Sequence, residues 1–355
     1  MAYTSINDPS AYFQTKLYTG GTAEAKTFDG NSNLKPDWFW SKKRGATQSH
    51  QTADSVRGIA NALRIDTTIA EYSNTETDDL ASFDTNGFTF NDTGDTYNGT
   101  YQSSSYVAWC WGAGGGTTSS NTDGDITSTV SANTTSGFSI VSYTGNGSAG
   151  ATVGHGLGTI PAMVIQKRRS GSTASWVTWH QSIHSTSGNS GAVFLNLTNA
   201  NSTGNSDTIA GVSSTLITTA GTGAVNPSGD TCIMYCFAEK KGFSKFGSYT
   251  GNGSSDGPMV YTGFKPAFVL QKNTSVTQGW QLQDNKRQGY NPDNYLLQPH
   301  TDQSESALQR VDLLSNGFKV RTTDAGQNGS GNNYIYMAFA EHPFVSSTGT
   351  PTTAR

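Results

Sequence analysis

The sequence predicts an all-β protein made of three tandem antiparallel β-sandwich modules of the jelly-roll or lectin-like kind. Only 14% of the 355 residues are charged, against about 25% in an average soluble domain, and glycine, serine, threonine and asparagine are abundant. Short apolar runs alternate with turn residues along the chain, which is typical of all-β folds. A third observation, one segment pattern that occurs three times, gives the number of modules.

Each copy of the pattern opens with a Tyr-Thr-Gly turn. The three turns read "LYTGGTAEAK" (17–26), "SYTGNGSAG" (142–150) and "SYTGNGSSDG" (248–257). An apolar strand led by proline follows each, in "KPDWFWSKKR" (35–44), "IPAMVIQKRR" (160–169) and "KPAFVLQKNT" (265–274). Proline is tolerated at the first residue of a strand, and glycine supplies the positive φ of tight turns. We therefore expect each glycine turn to form the first hairpin of its module.

Each copy closes with a strand that is apolar on both faces. The three strands are "YVAWCW" (106–111), "CIMYCF" (232–237) and "YIYMAF" (334–339). Successive side chains of a strand point to opposite faces of its sheet. A strand that is apolar on both faces is most simply a central strand, covered by another layer on each side.

The spacing of the copies, about 100 residues, matches one sandwich domain. The predicted modules span 11–113, 136–241 and 242–344. A Gly/Ser/Thr-rich segment, 114–135, is expected to be a flexible linker, and the tail 345–355 is expected to be extended or disordered. Almost no spacer separates the second and third modules, so we expect these two to form a stiff pair and the first to be looser.

The sequence predicts no enzyme. Gly145, Gly147 and Gly150 have the spacing of a dinucleotide-binding turn, but the glycines and prolines that follow cannot form the helix such a turn requires. His155 has no companion nucleophile, and we interpret it as a turn histidine with local hydrogen bonds. Cys110, Cys232 and Cys236 are interpreted as small buried hydrophobes. No cofactor or metal is expected, although two distant carboxylates of a glycosidase would escape detection.

Charge and hydropathy argue against two classes of partner. The formal net charge of −4 gives no general attraction to nucleic acid or to an anionic membrane, and no apolar run is long enough for a membrane span. No signal peptide is visible at the start. The basic runs Lys42–Arg44 and Lys167–Arg169 suggest either phosphate contacts or solvated strand ends, and we favour the second. Two matching charge pairs are expected to be structural: Asp54 with Arg57, and Asp284 with Arg287.

Aromatic residues in polar segments are the candidate binding surface. They are Trp176, Trp179, His180, Trp280, Tyr290 and Tyr295, which lie among glutamine, asparagine and serine. Flat rings beside amides suit stacking on sugar rings, and they suit a protein interface equally well. Burial of most of these rings in the core is the competing interpretation.

The repeats also resemble a known family. "INDPSAYFQTKLYTG", "SHQTADSVRG", "SFDTNGFTF" and "YVAWCWGAGG" follow one another in order, and the second copy supplies "GFSIVSYTGNGSAGATVGHGLGTIPAMVIQKRR". Together they resemble the tandem module of tail-fibre-like and virion structural proteins of marine tailed phages, including cyanophages. The resemblance implies a virion component assembled in the host cytoplasm, with other tail or capsid proteins as partners. By the same analogy a homo-oligomer is expected, with a trimer favoured.

The functional expectation is a surface-exposed tail fibre or appendage that presents β-sandwich modules to host-surface glycans or proteins. Many shallow contacts would gain strength from the number of copies. The alternative is a capsid decoration protein, head fibre or other structural subunit that binds no receptor. A glycan-degrading depolymerase is a third, more distant hypothesis.

Overall fold

The computed structural model describes residues 2–21, 23–73, 80–91, 104–183, 191–202, 208–291 and 293–352. Strands dominate this part of the chain, and the strands of each sheet pair antiparallel. The helical elements of the described residues are one short helix, α1 (Ala325–Asn328), and one 3-10 turn (Pro9–Ala11). The prediction of an all-β fold is confirmed. No helix in the described residues is long and apolar enough to cross a membrane.

The strands of the described residues form six sheets, which fall into three successive pairs that we call units 1, 2 and 3. Unit 1 contains β1 (Phe13–Thr19), β2 (Ala25–Lys26), β3 (Trp38–Lys43), β4 (Gln51–Asp54), β5 (Asn61–Arg64), β6 (Tyr72–Ser73), β7 (Leu80–Asp84), β8 (Gly87–Phe90) and β9 (Ser105–Trp111). Unit 2 contains β10 (Ser119–Asn121), β11 (Ser128–Asn133), β12 (Phe138–Thr144), β13 (Thr152–Gly154), β14 (Met163–Arg168), β15 (Val177–His180), β16 (Val193–Phe194), β17 (Ile209–Val212), β18 (Leu216–Thr219) and β19 (Thr231–Phe237). Unit 3 contains β20 (Ser244–Thr250), β21 (Met259–Tyr261), β22 (Phe264–Asn273), β23 (Trp280–Asp284), β24 (Asp293–Leu296), β25 (Ser306–Leu314), β26 (Gly317–Val320) and β27 (Asn333–Pro343).

The larger sheet of each unit repeats one strand order. The orders are β1-β9-β3-β4 in unit 1, β12-β19-β14-β15 in unit 2 and β20-β27-β22-β23 in unit 3. The closing strands β9, β19 and β27 are therefore central, as their apolar faces predict. Three buried residues occupy equivalent positions in the three units. Each is the last residue of its strand, and each pairs with the equivalent residue of the adjacent strand: Asp54 with Trp38, His180 with Met163 and Asp284 with Phe268.

Each closing strand divides its side chains between two cores. In β9, for example, Tyr106, Ala108 and Cys110 face the smaller sheet of unit 1 and belong to an apolar core within that unit. Val107, Trp109 and Trp111 face the other way. Units 2 and 3 have their own internal cores in the same place. The strand alternation thus covers each larger sheet on both sides.

The outward faces of the three larger sheets meet in one shared aromatic core. Trp38 of unit 1 stacks on Tyr235 of unit 2, with ring centroids 4.4 Å apart. Phe339 of unit 3 lies 5.9 Å from Phe237 of unit 2 and 5.2 Å from Phe13 of unit 1. The expectation of a looser first unit is wrong, because unit 1 contributes rings to this core as fully as the other two.

The units contact one another in a cyclic order. A loop of unit 2 donates from Ala174 N to Thr68 O of unit 1 (3.0 Å). The corresponding loop of unit 1 donates from Gln48 N to Asp302 O of unit 3 (2.8 Å), and that of unit 3 donates from Gln278 N to Thr198 O of unit 2 (2.9 Å). Three boundaries with the same backbone contact therefore surround the shared core. At each one, a loop of one unit donates to a carbonyl group of the next.

The sequence predicted a hairpin at the glycine turn 145–150, and this prediction is wrong. The turn carries the chain from β12 in the larger sheet to β13 in the smaller sheet of unit 2. A Cβ at Gly145 would lie 2.0 Å from Pro227 O, so a side chain cannot be accommodated there. Asn146 N donates to Asn226 Oδ1 (2.9 Å), and the same asparagine contact recurs in unit 3 between Asn252 and Asn328.

Two further expectations are corrected. The segment 114–135 is not a free linker, because β10 and β11 lie within it and extend the larger sheet of unit 2 beside β12. The described part of the tail, up to residue 352, is tied back to the body of the protein. Ser347 N donates to Asn7 Oδ1 (2.7 Å), and Thr352 N donates to Phe344 O (3.2 Å).

Candidate functional site

Four of the six candidate binding residues are buried, so their assignment to a binding surface is wrong. Trp176, His180 and Trp280 face the boundaries between units, and Trp179 packs inside unit 2. Trp176 Nε1 donates to Arg64 O of unit 1 (2.9 Å), and Trp280 Nε1 donates to Phe194 O of unit 2 (2.8 Å). These two indoles pack between neighbouring units. Burial in the core was the competing interpretation of these rings in the sequence analysis.

Tyr290 is the candidate that the structure leaves on the surface, with 71% of the residue exposed. Tyr295 is half-buried, and the Arg44 guanidinium lies 5.7 Å from the centre of its ring. Tyr290 follows the turn after β23 and stands at the rim of a polar depression. We call this depression the Tyr290 cleft.

The Tyr290 cleft consists of two adjoining cavities. The outer one, about 260 Å³, is lined by Lys265, Asn285, Gly289, Tyr290, Asn291, Leu313 and Glu341. The inner one, about 200 Å³, lies between units 1 and 3 and is lined by Asp8, Ser10, Phe13, Gln14, Thr15, Asp29, Gly30, Asn31, Ala267, Asn285, Lys286, Ala340, Glu341 and His342. Asn285 and Glu341 belong to both cavities, so they join the two parts.

The two lysines of the cleft are ion-paired, and the Asp8 carboxylate accepts hydrogen bonds from serine hydroxyl groups. Lys265 Nζ lies 2.7 Å from Glu341 Oε2, and Lys286 Nζ lies 3.0 Å from Asp29 Oδ1 across the boundary between units 3 and 1. Burial opposes ionisation of Asp29, but the hydrogen bond and charge of Lys286 outweigh it and lower the pKa of Asp29. The buried Asn285 Oδ1 has no hydrogen-bond partner among the described residues. An exposed ring, an amide acceptor and paired charges suit a polar, uncharged ligand.

The predicted charge pairs are buried ion pairs. Arg57 Nε lies 2.5 Å from Asp54 Oδ2, and Arg287 Nε lies 2.6 Å from Asp284 Oδ2. Each carboxylate also accepts a hydrogen bond from the neighbouring unit. Tyr235 Oη of unit 2 donates to Asp54 (2.7 Å), and Trp109 Nε1 of unit 1 donates to Asp284 (3.1 Å). The pairs therefore act between units as well as within them.

A second acidic residue extends each pair into an Arg–Glu–Arg cluster. Glu71 of unit 1 binds Arg57 and also Arg169 of unit 2, and Glu305 of unit 3 binds Arg287 and also Arg44 of unit 1. Burial opposes ionisation of Glu71, but the hydrogen bonds and charges of Arg169 and Arg57 lower its pKa. Such bidentate arginine contacts fix the relative position of two surfaces.

The interpretation of the basic runs as solvated strand ends is wrong. Lys42, Lys167 and the equivalent Lys272 are all buried, and each ammonium group donates to backbone carbonyls. Lys167 Nζ donates to Thr68 O of unit 1 (2.9 Å), and Lys272 Nζ donates to Thr198 O of unit 2 (3.1 Å). Burial lowers the pKa of each of the three lysines to about 8.

Two other assignments from the sequence are confirmed. Cys110, Cys232 and Cys236 are buried and unpaired, and burial raises the pKa of Cys232 and Cys236 to about 12. His155 is buried in its turn, where Nδ1 accepts from Leu157 N (3.3 Å) and Nε2 lies 3.2 Å from Ser213 O. Within the described residues, no three His, Cys, Asp or Glu side chains lie close enough together to hold a metal ion.

The fold and these contacts define a class of protein: an all-β chain whose three similar units share one core and leave a polar cleft at the surface. The chain belongs to the DUF7483 family, described as a domain of unknown function, whose family model matches residues 8–343. That match spans all three units. No curated protein and no solved structure matches the chain.

Proposed function

We propose that the protein is a non-enzymatic structural component of a phage virion, displayed on the particle surface as a tail fibre or related appendage. The observation that carries the proposal is the closure of three similar units, which we interpret as three β-sandwiches, around one aromatic core. Buried Arg–Glu–Arg clusters hold two of the three boundaries. A rigid, densely packed body suits a particle that must persist outside its host.

Host contact is assigned to the Tyr290 cleft. An exposed ring beside amides and paired charges can stack on a sugar or on a flat peptide surface. One such shallow site binds weakly, and many copies on one particle supply avidity. The resemblance of the repeats to virion proteins of marine tailed phages supports the same role.

Partners of the protein in this proposal are other tail or capsid proteins. A homotrimer stays a prediction from the resemblance. Three units already enclose the aromatic core within one chain, so further copies of the chain are not needed to bury it. Light scattering of the purified protein would give the oligomeric state directly.

Adsorption competition tests the assigned contact. Excess purified protein should block attachment of the phage to its host, and the Tyr290→Ala variant should compete less well. Tyr261→Ala, at another exposed tyrosine of unit 3, is the matched control and should compete like the unaltered protein. Full competition by Tyr290→Ala would remove the cleft from host contact.

A capsid decoration protein is the second candidate, favoured by the cyclic arrangement of three similar units, which suits a symmetric position on a shell. Immunogold electron microscopy and copy number separate the two roles. A few to a few dozen copies on the tail support the appendage, whereas hundreds on the head support decoration. Release of reducing ends from host polysaccharide by the purified protein would instead make it a depolymerase.

A further inference from the structure

The boundary between units 3 and 2 lacks the Arg–Glu–Arg cluster of the other two. Equivalent backbone hydrogen bonds align the three boundaries. Glu71 N donates to Arg169 O (2.8 Å) and Glu305 N donates to Arg44 O (2.8 Å), and in the third boundary Asn201 N donates to Thr274 O (3.0 Å). Asn201 therefore stands in the place of the glutamate, and Thr274 stands in the place of one arginine.

The second arginine is also replaced. Arg57 and Arg287 lie three residues after Asp54 and Asp284, whose equivalent in unit 2 is His180. The residue three positions after His180 is Ile183. All three charged side chains of the cluster are thus replaced by smaller, uncharged ones at this boundary.

A groove of about 540 Å³ lies where the cluster is missing. Ile183, Asn201 and Thr274 line it together with Ser248, Ser275 and Asn333. The groove has roughly twice the volume of the outer part of the Tyr290 cleft. None of the described residues that line it is charged.

The polar groups of the groove offer both donors and acceptors. Asn201 Oδ1 is buried and has no hydrogen-bond partner among the described residues. Ser248 and Thr250 are exposed at the rim, and Thr250 Oγ1 donates to Asn333 Oδ1 (3.1 Å). Hydroxyl and amide groups can each donate and accept, which is what a ligand with many hydroxyl groups requires.

We propose that this groove binds a neutral saccharide. A charged ligand would lie unpaired against the described residues of the wall, which carry no counter-charge, and burial of an unpaired charge is strongly unfavourable. The volume is in the range of small-molecule sites. The inference rests on the proposed function for the source of the saccharide, the host surface, and it places a binding site away from the Tyr290 cleft.

Rebuilding the missing cluster tests the site. The full-length protein is titrated by saturation-transfer NMR with neutral oligosaccharides of glucose, galactose, mannose and N-acetylglucosamine, and with an oligogalacturonate as the acidic probe. The triple variant Ile183→Arg/Asn201→Glu/Thr274→Arg should fill the groove and weaken neutral saccharide binding at least about tenfold. The matched control, Ser119→Arg/Ser120→Glu/Thr129→Arg, makes the same charge changes at exposed positions of β10 and β11 and should bind normally.

A single exposed change guards against misfolding of the triple variant. Ser248→Arg extends a long charged side chain from the rim and should reduce binding in the same way. The inference is overturned if the unaltered protein binds none of the neutral probes at millimolar concentration, if it prefers the acidic probe, or if the groove variants bind as well as the control.

The outcomes separate this inference from the proposed function. Groove variants that lose saccharide binding support the site, even if microscopy finds no protein on the particle surface and the virion proposal fails. Conversely, a surface location together with unchanged binding in the groove variants leaves the virion proposal standing and overturns the site.

Discussion

Equivalent residues at the three boundaries change together. Trp109 and Tyr235 occupy the same position of β9 and β19, and each donates a hydrogen bond to the carboxylate of a neighbouring unit. The same position of β27 is Met337, which has no strong donor. The boundary that Met337 faces has His180 in place of the aspartate, and His180 Nε2 pairs instead with Tyr336 O (3.2 Å). The donor on the closing strand and the aspartate that accepts from it are therefore both present at two boundaries and both absent at the third.

The phenol of Tyr235 is expected to stabilise the boundary of units 1 and 2. Tyr235→Phe removes the donor to Asp54 inside a buried ion pair, and we expect a loss of about 1.5–3 kcal/mol in the free energy of unfolding. Denaturant titration measures this loss. Tyr290→Phe, which removes a hydroxyl from the exposed ring, is the control and should change stability little. Equal effects from the two variants would contradict the role of the buried hydrogen bond.

Histidine burial predicts acid sensitivity. Burial lowers the pKa of His180 to about 4, whereas an unfolded histidine titrates near its ordinary value of 6.5. Between these values the unfolded chain binds a proton that the folded protein does not, so stability falls as pH decreases from 6.5 to about 4. The shift corresponds to about 3 kcal/mol.

His180→Gln should reduce this pH dependence, because the glutamine amide can still donate to Tyr336 O and does not titrate. Unfolding curves at several pH values between 4 and 7 measure the slope. The exposed His342→Gln is the control. Burial also lowers the pKa of His300 to about 4, so part of the slope should remain in His180→Gln. An unchanged slope would show that His180 is not held neutral by the fold.

Sequence reasoning found the charge pairs but not their partners. Asp54 and Arg57 are three residues apart, and their recurrence as Asp284 and Arg287 made the pairing visible. The hydrogen bond from Tyr235 to Asp54 spans 181 residues, and no local pattern encodes such a contact. The sequence did contain a sign of the boundary that lacks the cluster. Unit 2 has Ile183 where the other units have Arg57 and Arg287, and unit 3, which faces it, has Thr274 where unit 2 has Arg169. The prediction that the candidate rings are exposed was wrong for a related reason. A tryptophan in a polar segment gives no sign that a neighbouring unit covers it.

At the scale of elements, the closing strands were the most predictable part of the fold. Apolar residues on both faces placed β9, β19 and β27 at the centre of their sheets. The apolar pattern of these strands could not reveal which residues cover each face. One face is covered by the smaller sheet of the same unit, and the other is covered by the other two units. Composition misled in the segment 114–135, since glycine and serine suggested flexibility where β11 pairs along six residues with β12.

Limited proteolysis can test the order of this segment. Proteinase K cleaves with little sequence preference, so a flexible linker between 114 and 135 would be among the first sites cut. Because β10 and β11 are paired in the sheet, we expect the segment to resist cleavage until the protein unfolds. Early fragments that end within β11 would restore the linker interpretation. Val130→Asp, which places a carboxylate at a buried position of β11, should make the segment sensitive.

At the scale of the whole molecule, the shared core predicts cooperative unfolding. Phe237 lies within 6.5 Å of rings from all three units: Trp38 of unit 1, Phe138 of unit 2 and Phe339 of unit 3. Calorimetry should show one transition, and Phe237→Ala should shift all of it to lower temperature, with a loss of about 3–5 kcal/mol. Val260→Ala, inside the core of unit 3, is a comparison that removes packing within one unit. Several separate transitions would mean that the units fold independently.

The two kinds of boundary have a consequence for the history of the gene. In an assembly of three identical chains, every mutation appears at all three contacts at once, so a change that opens one contact opens the others. With three copies of the pattern in one reading frame, each contact can accumulate its own substitutions. Two contacts can then keep their charges and hold the molecule together while the third acquires Ile183, Asn201 and Thr274. If the groove binds a ligand as proposed, selection on recognition and selection on stability can act on different codons.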